Sequence, residues 1–81
     1  MTSYRVDTAT TDGMHRVVAI GVATPDGAAH PAALTEAELA VLRSAVRGRL
    51  DQLGHEAGPA VTVVAMIDAR PHIVSCRPVG A

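Results

Sequence analysis

Residues 34 to 39 read LTEAEL, and this stretch fixes where the chain can start a helix. Thr35 is a suitable N-cap and Glu38, three residues on, completes a capping box; Leu34 and Leu39 bracket it as a hydrophobic staple. Leu39, Leu42, Val46, Leu50 and Leu53 then recur on one stripe of an amphipathic helix. Gly54 follows as a natural C′ residue. The predicted helix, EAELAVLRSAVRGRLDQL (36 to 53), would run about 27 Å, enough to cross a small sheet.

On either side of this helix the periodicity changes from 3.6 to 2. In SYRVDTA (3 to 9), Tyr4, Val6 and Thr8 alternate with Ser3, Arg5 and Asp7, the pattern of a half-buried strand. Asp12-Gly13 supplies the positive φ of a hairpin turn. The next strand, HRVVAIGVAT (15 to 24), is apolar on both sides: Val18, Ile20 and Val22 on one, Val17, Ala19, Gly21 and Ala23 on the other. TPDGAAHPAA (24 to 33) reads as a loop, with Pro25-Asp26-Gly27 as turn chemistry and Pro31 blocking an early helix. After GHEAGP come two further strands, AVTVVAMID (60 to 68) and HIVSCRPV (72 to 79), joined by a tight DARP turn. The expected architecture is a single α+β domain over 1–81, a two-layer ββαββ sandwich with one helix across a four-stranded sheet. This element order also resembles a β-grasp, which requires the first and last strands to be central and parallel. Ubiquitin-like sulfur carriers share that order and end in Gly-Gly, whose carboxylate is activated. The end here is Val79-Gly80-Ala81, which departs from the pattern where that chemistry is carried.

The core of such a domain must be built without large rings, because Phe and Trp are absent and Tyr4 is the only Tyr. A chain of 81 residues has a thin stability margin, and a small aliphatic core often needs support from self-association, disulfides or metal. Cys76 is the only cysteine, so no disulfide forms within the chain. The lack of Lys, Asn and Phe beside abundant Ala, Val, Arg and Gly is the mark of a GC-rich bacterial genome. Seven Arg against eight acidic residues give a net charge of −1, without the basic excess or stacking aromatics of nucleic-acid proteins. No charged start leads into a long apolar run, and AGPAVTVVAMI (57 to 67) is about half a membrane span. A cytoplasmic protein without membrane or nucleic-acid partners is expected.

The back of the helix is unusual. Ala37, Val41, Ser44 and Gly48 fall on a second stripe, placed by helical geometry opposite the leucines, and no charge interrupts it. A mid-helix Gly costs about 1 kcal/mol relative to Ala, and small residues at this spacing let a second helix approach closely. This stripe is the expected contact of a homodimer, with the open sheet face as the other candidate. Arg43 and Arg47, with Arg49 nearby, are candidate anion contacts on a largely solvated flank, and Arg77 could join them. Arg47 and Asp51 are spaced as an i,i+4 pair.

His72 and Cys76 stand four apart, the spacing of a helical thiol–imidazole pair. Pro71 and Ile73-Val74 favour strand instead, which separates the pair by about 13 Å, far beyond the contact a dyad or a shared metal needs. His15, His30 and His55 match no ligand spacing, so no metal site is expected, and no motif implies a cofactor. His55 is placed to interact with the helix C-terminus. Candidate acids and bases reduce to His15, His72 and Asp68, with Arg70 or Arg16 for an anionic substrate. The leading expectation is a small accessory or binding module acting through self-association and protein contacts. The alternative is a small cofactor-free enzyme or small-molecule binder with a pocket at the sheet face or dimer interface.

Overall fold

A computed structural model describes residues 2–23, 29–31 and 34–79. The elements run β1 (Thr2–Thr11), β2 (Met14–Ala23), β3 (Ala29–Pro31), α1 (Glu36–Leu53), β4 (Gly58–Ile67) and β5 (Arg70–Pro78). The helix packs on one face of an antiparallel sheet ordered β3-β2-β1-β4-β5, so the α+β two-layer arrangement is present. The helix starts and stops where local chemistry requires. Thr35 Oγ1 accepts from the Glu38 N–H, and the Glu38 carboxylate accepts from the Thr35 N–H. At the other end Gly54 is left-handed (φ 68°), its N–H donating to the Asp51 carbonyl while His55 N–H donates to that of Leu50. These two bonds make a Schellman cap.

Three expectations are corrected. The β-grasp order is absent: β1 is central, but its neighbour β4 runs antiparallel to it and the last strand, β5, is an edge. The long-range pairing of β1 with β4 across the helix decides the order, with each hairpin's other strand lying outside that pair. Within the stretch expected to be a loop, Ala29–Pro31 forms a short edge strand on β2, a position where proline's missing N–H is tolerated. The turn at Pro25-Asp26-Gly27, the side chain of His30 and the tail Gly80-Ala81 lie outside the described residues.

The third correction concerns strand faces. Register slips by one residue opposite Asp7/Thr8 in β2 and opposite Val63/Val64 in β5, so β2 and β5 each carry a β-bulge. The bulge places Val17 with Ile20 against the core and leaves Val18 exposed. In β5 it turns Ile73 and Cys76 toward the helix and leaves Val74 63% exposed.

Val6, Leu42, Val46, Leu50, Ala60 and Val64 form the buried core, with Tyr4, Leu34 and Met66 packed at its margin. Leu39 is half-buried and Leu53, in the last helical turn, is 48% exposed, so the predicted stripe is buried only in its middle. Three buried threonines share the helix-facing side. Thr8 donates to the Ala60 carbonyl, Thr10 bonds His15 Nδ1 and Thr62 donates to Cys76 Sγ. Among the described residues, no buried side-chain nitrogen or oxygen lacks a partner.

Both hairpins turn through two residues at positive φ: Asp12 (50°) and Gly13 (77°), then Asp68 (52°) and Ala69 (61°). Two positive values identify type I′ turns, whose twist matches the flanking strands. Asp12-Gly13 meets this demand with glycine, whereas Ala69 holds a left-handed conformation that costs a non-Gly residue about 1 kcal/mol. Ala69→Gly is therefore expected to raise the free energy of unfolding, by up to about 1 kcal/mol, in urea denaturation.

Candidate functional site

Two places concentrate chemistry. The first lies under the β1–β2 turn, where the end of α1 meets the sheet. The two-residue turn sets Thr10 opposite His15, and Thr10 Oγ1 lies 2.7 Å from His15 Nδ1. His15 Nε2 lies 2.8 Å from Asp51 Oδ1, on the last turn of the helix. A neutral imidazole satisfies both contacts when Nε2–H donates to the carboxylate and Nδ1 accepts from the hydroxyl. His55 stacks on His15 with centroids 6.3 Å apart and donates from Nε2 to the Gly58 carbonyl at 3.0 Å. Gly13 N–H closes the assembly by donating to the Glu56 carbonyl.

A hydroxyl, an imidazole and a carboxylate in series is the order of a nucleophile, its base and the group orienting that base. A nucleophile must reach a substrate from solvent, and here Thr10 is only 5% exposed and the His15 side chain only 4%. Both ring nitrogens are already engaged within the protein. The arrangement clasps the helix C-terminus to the first hairpin. His55 is thus bonded into the loop that follows the helix, in addition to lying near its end.

The second place is the flank of α1 that overhangs β5. Ser44, Ala45, Gly48, Arg49 and Gln52 on the helix face Ile73 to Cys76 on the edge strand across a groove of about 450 Å³. Nearer the helix N-terminus, Ala37, Glu38 and Val41 meet Met66 and Ala69 around a hollow of about 430 Å³. The four residues of the small stripe, Ala37, Val41, Ser44 and Gly48, therefore line this β5 side of the helix. Among the described residues, Glu38 and Arg49 are the only charged side chains along the two hollows. All four stripe residues are exposed, and a Cβ built on Gly48 meets nothing within 4 Å.

The candidate acids and bases are not brought together. His15 lies on the helix-facing side at the β1–β2 turn, and Asp68 is in the β4–β5 turn at the opposite end of the sheet. His72 sits on the other sheet face, opposite Ala65. The bulge also sends His72 and Cys76 to opposite faces, where uninterrupted alternation predicts the same one. Arg16 and Arg70 occupy the open face at opposite ends. Arg43 and Arg47 border a shallow hollow on the outer helix surface with Ala40, Ser44, Gly48 and Asp51. The expected Arg47–Asp51 pair does not form, because the Asp51 carboxylate turns to His15. Among the described residues, no group of three or more His, Cys, Asp or Glu is placed to hold a metal ion, and no helix is long and apolar enough to cross a membrane.

No family model and no curated protein matches this sequence. Among solved structures the chain is similar to part of an L-amino acid ligase from Bacillus licheniformis, with a TM-score of 0.81 and 24% identity. The match covers 93% of this chain and 21% of the ligase, so the chain spans about a fifth of that protein's length. At this identity the likeness is one of fold.

Proposed function

We propose that the chain is a small non-catalytic accessory or binding module that pairs with a second copy of itself along the flank between α1 and β5. The observation that carries this reading is the run of small residues from Ala37 and Val41 to Ser44, Ala45 and Gly48, which carries little charge on the side of the open edge strand, while Arg43 and Arg47 border it on the other. A solvated helix flank normally carries charge, and Gly48 sacrifices helix stability without relieving any clash inside the subunit. A close helix contact accounts for both. The small, mostly aliphatic core adds a reason, since a second buried surface would reinforce a thin margin. That the same architecture forms about a fifth of a larger ligase supports a domain suited to lying against other protein. The engaged His15 and shielded Thr10 favour a binding role over catalysis at the polar cluster.

Native mass spectrometry of the wild type and Gly48→Arg tests the proposal. The wild type is expected as a dimer and the variant as a folded monomer, since position 48 is open and exposed. An unchanged association state in the variant would refute the helix contact. A retained small molecule would favour the pocket reading instead.

A further inference from the structure

The net charge of −1 is not evenly arranged over the strands. On the helix side Glu36, Glu38, Asp51 and Glu56 are nearly balanced by Arg43, Arg47 and Arg49. The open sheet face differs. Its register aligns Ala19, Asp7, Val61 and Arg77 in one row, and Gly21, Arg5, Val63 and Ser75 in the next. Arg16, opposite Ala9, and Arg70, opposite Ile67, stand towards the two ends. Asp7 is the one carboxylate on these strands, held by Arg5 Nε at 3.0 Å, and Asp12 and Asp68 stand in the turns at the two ends. Among the described residues, Arg16, Arg70 and Arg77 have no carboxylate within ion-pair distance. The face thus sets half-buried Val61 and Val63 beside the central Arg5–Asp7 pair, with the guanidinium groups of Arg16, Arg70 and Arg77 towards its rim.

We infer that this face docks an acidic, apolar-rich segment of a partner protein. Charge complementarity selects the occupant: carboxylates meet the rim arginines while aliphatic groups cover the valines. A second copy would bring the same arginine excess and be repelled. Nucleic acid would find phosphate contacts but no stacking platform, since Tyr4 packs toward the core on the opposite face. The face is separate from the α1–β5 flank, so this inference stands or falls independently of self-association.

The test is a titration of isotope-labelled protein, followed by amide chemical shifts. The probes are a short capped peptide alternating Glu and Leu, the same peptide with Lys for Glu, and a short oligo-dT strand. Saturable shifts centred on Val61, Val63 and Arg77 are expected with the acidic peptide alone. The double variant Arg16→Glu/Arg77→Glu should weaken that binding at least about tenfold, as reversal of complementary rim charges requires. The comparison of acidic with basic peptide needs no variant and covers the case in which the double variant fails to fold. Absence of acidic-peptide binding, equal binding of the Lys peptide, shifts confined to α1, or tighter binding of oligo-dT would each overturn the inference.

Discussion

Leu50→Ala is expected to lower the free energy of unfolding by about 3 kcal/mol, the usual cost when a fully buried leucine leaves a cavity. Leu50 is fully buried in the cluster that joins α1 to β1 and β4. Its companions there are mostly Val and Ala, which have little reach to refill the space. A domain of this length holds roughly 4–12 kcal/mol in total at the usual stability per residue, so a large part of the margin disappears. Urea denaturation reads the effect as a lower midpoint at unchanged slope. A loss below about 1 kcal/mol would mean that the helix is not seated on the sheet as described.

His15→Ala is expected to cost about 2 kcal/mol, because it removes two hydrogen bonds and leaves the buried Thr10 hydroxyl without its partner. Asp51→Ala should cost less, about 1 kcal/mol, because it removes one of the two bonds and replaces a 70% exposed carboxylate with space that water can enter to meet the imidazole N–H. The asymmetry distinguishes a clasp centred on the imidazole from a surface ion pair. Equal small effects at both positions would show that the cluster does not hold the helix end.

The helix was legible because its signals are local. Thr35, Glu38 and Gly54 act through backbone groups within a few residues, and each cap forms as the spacing predicts. Asp12-Gly13 was legible for the same reason, and its turn sets Thr10 opposite His15. The partner Asp51 was not, because its meeting with His15 depends on how far the helix slides across the sheet. Bulges at Val18 and Val74 were hidden by runs in which neighbouring residues are equally apolar, so alternation carries no mark of a slip. Strand order was beyond reach as well, since β1 and β4 pair across the helix with no local signal. The small stripe was visible, but its position beside β5 depended on the packed helix.

Self-association along the α1–β5 flank is tested most directly by isotope-filtered nuclear Overhauser spectroscopy on a mixture of labelled and unlabelled protein. Intermolecular contacts from Ala45 and Gly48 are expected, with further contacts at Val74. Intermolecular contacts confined to Val61 and Val63, or none at a concentration where the protein is otherwise folded, would contradict it.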